Sequence, residues 1–313
     1  MILFVDLETR SRVDISLGGR RYAASDSTEM LVSCAVLVSG DQVTGHVWSG
    51  WSGPVHGSPV TRSRAGCPPV PEHALQPRPR GLESVSWTAT WETHDPPAAV
   101  TDAVRAGART VAHNAHGFDR HIWEGMGWPT ASWVDSVDLV RRAGYPGALE
   151  KVGQVVYGEG KDASGARLLR QYMKPCRPKK SAPEGVFRDP VPATLGALAT
   201  YCARDVLLLA CLWYDLQLAV PHVDDPVLAL HWIVDETGIP IDVDYARRLQ
   251  AAEARVREAA YAEALRHVTA DVLSSPQKLR RWLREHGVDV ESCAAEVLEK
   301  VSSEDPALAA VLH

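Results

Sequence analysis

The chain lacks the marks of several common classes. Its N-terminus has no basic region, apolar core or small-residue cleavage site, so no signal peptide is expected. The first apolar residues run straight into Asp6 and Glu8. No apolar stretch is expected to reach membrane-spanning length, and a cytoplasmic protein follows. The six cysteines, Cys34, Cys67, Cys176, Cys202, Cys211 and Cys293, include no C-x-x-C pair. That speaks against a zinc site and gives no support for a disulfide framework, so buried or incidental thiols are expected. No internal repeat is detectable. Net positive charge is lacking too: the formal charge is −6, which argues against bulk electrostatic binding of duplex nucleic acid. A local basic surface is still present, formed by Lys161, Arg167, Arg170, Lys174, Arg177, Lys179, Lys180 and Arg188. It reads either as a solvated helix and loop or as a surface that tracks phosphates.

The 313 residues, 45% of them hydrophobic, can bury a sizeable core. Strand-like runs fall at about 2–8, 31–38, 44–49 and 109–113. Helical periodicity falls at about 97–107, 117–126, 147–157, 162–173, 193–219, 226–237, 244–268 and 276–286. Strands first, then strands mixed with helices, predict an α/β sheet domain over about 1–220. From about 224 to 313 the chain reads as all helical. Between about 52 and 85, Pro54, Pro59, Pro68, Pro69, Pro71, Pro77 and Pro79 preclude regular structure, and a long mobile loop is expected. Trp48, Trp51, Trp87 and Trp91 flank it and read as packing anchors.

The chemistry gathers on carboxylates. In a strand over Ile2–Thr9, Asp6 and Glu8 project from one face while Val5 and Leu7 point into the core on the other. Two adjacent like charges are best relieved by a hard divalent cation. With 39 acidic residues in 313, however, a D-x-E triplet arises about once by chance, so the pair needs support from elsewhere. A second acidic position, Asp119, follows the short strand Thr110–Ala112, with Asn114 as a helix cap. Asp119 then falls in a first helical turn, where the helix dipole favours negative charge. His113, His116 and His121 lack the i, i+4 spacing of a helical zinc pair. The third, Asp205, stands one turn after Tyr201 on an apolar helix, Leu195 to Leu218. There it is either kept wet by Arg204 and the helix surface or faces a functional cleft.

D-x-E near the start, Ala112-His113-Asn114 with Phe118-Asp119 in the middle, and Tyr201-x-x-x-Asp205 on a late helix resemble the three motifs of DEDDy 3′–5′ exonucleases. Asp6-Leu7-Glu8-Thr9-Arg10-Ser11, Gly19-Arg20-Arg21-Tyr22-Ala23, Tyr145-Pro146-Gly147-Ala148-Leu149-Glu150 and Lys161-Asp162-Ala163-Ser164-Gly165-Ala166-Arg167 resemble phage-type family A DNA polymerases. Asp235-Glu236-Thr237-Gly238-Ile239-Pro240 and Ser274-Ser275-Pro276-Gln277-Lys278-Leu279 are similar to the helical lead-in of the polymerase module. The resemblance covers nearly the whole chain apart from the Pro-rich loop.

The resemblance implies a ribonuclease H-like mixed sheet flanked by helices, followed by an all-helical C-terminal segment. It implies hydrolysis of a single-stranded DNA 3′ end to nucleoside monophosphates, as proofreading. Asp6, Glu8, Asp119 and Asp205 would hold two Mg²⁺ or Mn²⁺ ions, and Tyr201 would aim the attacking water. Leu7, Thr9, Asn114, Phe118 and Lys161 would contact substrate. A polymerase module, in cis or in trans, would be the partner. Two departures stand out. The middle motif has one residue more than N-x-x-[FY]-[DE], so Asp119 reaches the site only if that residue bulges at the strand-to-helix turn. The chain also stops at His313, before the polymerase palm, and is not expected to polymerise DNA. A ribonuclease D-like exoribonuclease and a catalytically silent domain bracing a polymerase are the competing readings.

Overall fold

The computed structural model describes residues 1–53, 79, 81–158, 160, 163–180, 184–216, 226–301 and 305–312. Most of the expected Pro-rich loop therefore lies outside the described residues, as does Lys161. The chain divides into two compact units, Met1–Glu236 and Thr237–His313. The expected change of character near residue 224 precedes that division by about one helix.

A six-stranded mixed sheet organises the first unit, in the order β4-β3-β2-β1-β5-β6. Its strands are β1 (Ile2–Arg10), β2 (Glu29–Ser39), β3 (Gln42–Ser49), β4 (Ser86–Trp91), β5 (Arg109–Ala112) and β6 (Ser132–Asp135). The β1–β2 and β2–β3 pairs are antiparallel, while β1–β5, β5–β6 and β3–β4 are parallel. The mixed α/β class expected from the sequence is what the structure has. Strand β1 is central, with partners on both edges, and reads as a near-continuous apolar run for that reason.

Helices α1 (Gly19–Ala23), α2 (Ala98–Arg105), α3 (Arg120–Gly125), α4 (Ser136–Arg142), α5 (Leu149–Tyr157), α6 (Ala163–Leu169), α7 (Pro192–Asp215) and α8 (Pro226–Thr237) follow the strands. Strands β4 and β6 and helices α1 and α4 were not expected. Each is six residues or shorter, or seven in α4, too little for a period to show.

Both faces of β1 are covered. Leu3, Val5 and Leu7 pack with Val100, Val104, Ile122 and Trp123 of α2 and α3. Phe4 faces α7, meeting Trp213 and Tyr214 edge-on at ring-centre distances of 5.9 and 6.2 Å. Helix α7 starts with Pro192, whose missing N–H costs nothing in a first turn. By length and composition α7 alone among the described helices could cross a membrane, which corrects the expectation that no stretch was long enough. Its most apolar window is 78% buried, so here it is the core helix over the sheet.

The second unit holds α9 (Val243–Ala264), α10 (Ala270–Leu273), α11 (Pro276–Glu285), α12 (Ala295–Leu298) and α13 (Pro306–Leu312). Leu283, Val290, Leu308 and Leu312 form its small core. Asp242 and Ser275 cap α9 and α11 by accepting from the Tyr245 and Lys278 amides. This unit is all helical, as the sequence suggests. Cys34, Cys176, Cys202 and Cys293 are free thiols, whereas Cys211 is disulfide-bonded, a departure from the expectation of thiols. Short-range spacing carries no information about a long-range pair.

The end of β1 is tied down by Arg10. Its guanidinium lies between the rings of Trp51 and Phe187, 4.8 and 4.7 Å from their centres. It donates to Glu29 at 2.6 Å, Asp189 at 3.2 Å and the Arg188 carbonyl at 2.9 Å. A desolvated cation between two rings is worth about 2 kcal/mol, and its charged hydrogen bonds add to that. Arg10→Ala is therefore expected to lower unfolding free energy by about 2–4 kcal/mol in urea titrations. Arg10→Lys should recover less than half, because an ammonium cannot fork between two carboxylates. A loss below about 1 kcal/mol for Arg10→Ala would show that the clamp does not hold the strand.

Candidate active site at the crossing of β1 and α7

The pleat that turns Phe4 toward α7 turns Asp6 and Glu8 the same way. Where α7 crosses them, the Cys202 thiol donates to the Asp6 carbonyl at 3.3 Å. Ligand atoms of Asp6, Glu8 and Cys202 all lie within 4.8 Å of one another. Asp6 Oδ2 is buried. Tyr201 and Asp205 flank Cys202 on α7 and are both buried, Asp205 to 2% exposure. So Arg204 and the helix surface do not keep Asp205 wet. Across the sheet, Cys34 is the register partner of Asp6. Burial pushes the Cys34 thiol up, and the charges of Asp6, Glu8 and Asp205 push it further. These three carboxylates thus act on one buried point.

The donor chemistry decides which ion would fit. Burial, then Cys34, then Asp6 and Glu8 hold the Cys202 thiol well above its ordinary pKa. Its proton is engaged on the Asp6 carbonyl. The carboxylate oxygens of Asp6 and Glu8 are hard donors of the kind that would suit Mg²⁺ or Mn²⁺. His113 has both ring nitrogens engaged, at 2.8 Å from Ser136 Oγ and 2.8 Å from the Gly147 carbonyl. His116 stacks on Trp232 with ring centres 4.1 Å apart.

The ladder between β1 and β2 shifts register between Glu8 and Thr9. Such irregularities re-aim side chains and are common beside active sites. Beyond it, Thr9 is buried, with its hydroxyl 3.1 Å from the Tyr22 hydroxyl. Burial raises the Tyr22 pKa, and the Glu8 charge adds to the rise. The Tyr22 ring lies 5.6 Å from Phe118. Leu7 is buried among Val5, Tyr22 and Trp48. Phe118 is partly buried against the same cluster.

The extra residue of the middle motif has a structural counterpart. Ala115–Asp119 form a π-helical turn, closed by the Arg120 amide on the Ala115 carbonyl, and α3 follows directly. A π-turn inserts one residue into a helix and recurs at functional sites. Asp119 ends that turn and is buried. The set of ligand atoms around Asp6 and Glu8 includes neither Asp119 nor Asp205. Asn114, the single asparagine of the chain, enters the turn at φ +81°, and its side chain makes no capping bond. Of the cap and substrate roles open to Asn114, the side-chain cap is not used.

Asp135 fixes this turn, and the sequence reading missed it. Its carboxylate accepts from the amides of Asn114 at 3.0 Å, His116 at 2.9 Å and Val137 at 2.9 Å. Burial raises its pKa despite these three donors. An aspartate between a short apolar run and a periodic segment is a helix-cap signal, which could have found it. Gly165 was also missed: a Cβ there would overlap the Tyr201 ring. In the basic stretch, Lys174 is spent on Asp14 at 2.7 Å. Arg167 lines an open cleft of about 420 Å³ with Ser164, Gln171 and Thr200, between α6 and α7.

Two measurements test this arrangement. Gly165→Ala should cost about 1–3 kcal/mol in chemical denaturation, the usual penalty of overpacking. An unchanged midpoint would mean α6 rides freely over Tyr201. Burial, helped by Arg120, lowers the His116 pKa to about 4. The unfolded imidazole binds protons first, near pH 6.5, so stability is full above that and declines as pH falls toward 4. The decline should be on the order of 1 kcal/mol after discounting for solvent screening. His116→Gln should flatten the slope, and an unaltered slope would assign it to other groups.

No protein-family model matches the chain. It is 26% identical over 175 residues to a DNA polymerase of Bacillus phage SP02. The match takes in 55% of this chain and 27% of that polymerase, so the chain corresponds to about a quarter of that relative's length. The chain is thus related in sequence to part of a phage DNA polymerase.

Proposed function

We propose that the chain is a metal-dependent 3′–5′ exonuclease that trims single-stranded DNA ends, as the proofreading part of a phage-type replicative polymerase in the cytoplasm. One observation carries this reading: the face of β1 bearing Asp6 and Glu8 meets α7 at Cys202, between Tyr201 and Asp205. The relationship to a phage DNA polymerase points to DNA as the substrate.

Asp6, Glu8, Asp119 and Asp205 would hold two Mg²⁺ or Mn²⁺ ions. When bound, such ions neutralise phosphate charge and generate a hydroxide nucleophile near neutral pH. The chain's own residues do the rest. Carboxylates carried on a packed strand, a core helix and a pinned turn would need little reorganisation during reaction. Tyr201, one turn before Asp205, donates a hydrogen bond that orients the attacking water. Phe118, half-buried against the cluster that holds Leu7 and Tyr22, would receive the terminal base, where stacking is tolerant of sequence. Asn114 would contact the sugar-phosphate chain, as would Lys161, which lies outside the described residues. A polymerase module, in cis or in trans, would deliver the frayed end.

The test is a 5′-labelled single strand incubated with the protein and Mg²⁺ or Mn²⁺. A ladder of shortened products is expected, faster on DNA than on RNA of identical sequence. Asp6→Ala should reduce cleavage at least about 10³-fold with an unchanged circular-dichroism spectrum. Faster RNA turnover would favour an exoribonuclease. No ladder at any metal concentration would favour a silent brace, and full activity in Asp6→Ala would rule out this site.

A further inference from the structure

Helix α8 grips the turn that carries Asp119 from both sides. Trp232 stacks on His116, three residues before Asp119, at 4.1 Å and an interplanar angle of 26°. The Trp232 indole N–H donates to Asp138 Oδ2 at 2.8 Å, which fixes the plane of the stack against α4. One turn later, Glu236 Oε1 accepts from Arg120, the residue after Asp119, at 3.0 Å. The same oxygen accepts from Arg20 of α1 at 3.2 Å. Helix α1 in turn abuts the π-turn so closely that a Cβ on Gly19 would overlap the Gly117 carbonyl. Between these contacts lies a cleft of about 460 Å³, lined by Asn114, His116, Arg120, Trp232 and Glu236 among others. Leu228 anchors the start of α8 in the main core.

We propose that Trp232 and Glu236 are positioning residues for the nuclease reaction, acting by holding the π-turn so that Asp119 stays directed at the site. The inference rests on the reading of Asp119 as a metal-holding carboxylate. The physical argument is geometric. A π-turn is a strained, uncommon conformation that persists only where its surroundings over-determine it. Asp135 holds the backbone of the turn from beneath, through the Asn114 and His116 amides. Those bonds stop at residue 116. At the far end, Phe118 packs 5.6 Å from Tyr22 and Arg120 bonds Glu124 within its own helix at 2.8 Å, while Glu236 of α8 adds a hold from outside. Removing the holds from α8 loosens the turn, and a displacement of about 1 Å at a catalytic group costs on the order of 100-fold in rate.

The experiment compares wild type, Trp232→Ala/Glu236→Ala, Trp232→Phe and Asp119→Ala. In the metal-free protein, hydrogen–deuterium exchange at the Ala115–Asp119 amides should rise about tenfold in the double variant, with β1 amides unaltered. In Mg²⁺, its kcat on a 5′-labelled single strand should fall about 10- to 100-fold with KM within about twofold. Trp232→Phe, which keeps a ring over His116, should restore kcat to within about threefold. Unaltered exchange in the double variant overturns the proposal. So does wild-type kcat in the double variant when Asp119→Ala is inactive, and the exonuclease reading then stands. If Asp119→Ala cleaves at the wild-type rate, the role given to Asp119 fails and takes the positioning claim with it.

Discussion

The site depends on one contact, the packing of apolar helix α7 across the face of β1 that also bears two carboxylates. Phe4 against Trp213 and Tyr214 fixes how the helix lies on the strand. The pleat then leaves no freedom: residues two and four beyond Phe4 must face the same helix. They are Asp6 and Glu8. Apolar packing is non-directional and would seal such a face completely if the helix were apolar throughout. The helix instead supplies a thiol, a phenol and a carboxylate at Cys202, Tyr201 and Asp205. Like charges this close, with one carboxylate oxygen buried, oppose one another strongly. The divalent ions of the proposed function would offset that repulsion.

The second constraint is the turn between β5 and α3. It absorbs one more residue than the motif pattern it resembles, and the π-turn takes it up without lengthening the connection. Three local choices make that possible. Asn114 tolerates the left-handed region better than most residues. Gly117 leaves room for the Asn114 side chain, which a Cβ there would displace. Asp135 gathers the amides that the irregular backbone leaves without helical partners. Each is a weak signal in sequence, and together they convert an apparent mismatch into a defined geometry.

Much of this was legible beforehand, for reasons of length. β1, β2, β3 and β5, and α7 with Tyr201 and Asp205 one turn apart, carry runs long enough for period and composition to show. β4, whose Trp87, Ala89 and Trp91 pack on the core, looks like loop flank in sequence because the Pro-rich segment dominates its surroundings. β6 has four residues, and its most informative one, Asp135, is polar. What sequence could not show was burial. It left open whether Asp205 stays wet, and only the three-dimensional packing settles that. Nor could it show that Lys174 is committed to Asp14 and so contributes less to a phosphate-tracking surface.

The place of α8 is the clearest case of composition and contact disagreeing. The helix begins the segment that reads as all helical, yet it belongs with the first unit up to Glu236. It is apolar on both sides: Leu228 is buried, while Val227, Leu230, Ile233 and Val234 remain exposed. A helix with that pattern shows little amphipathicity, so its direction of packing is hidden in the sequence. Magnitudes then divide its contacts by role. The Glu236 bridges to Arg120 and Arg20 join side chains 24–63% exposed, and such pairs add at most about 1 kcal/mol. Their effect is on direction more than on stability. The Trp232 stack on His116, with ring centres 4.1 Å apart, adds about 0.5–1.5 kcal/mol of aromatic contact. Stability and orientation are thus supplied by different residues of one helix, on opposite sides of Asp119.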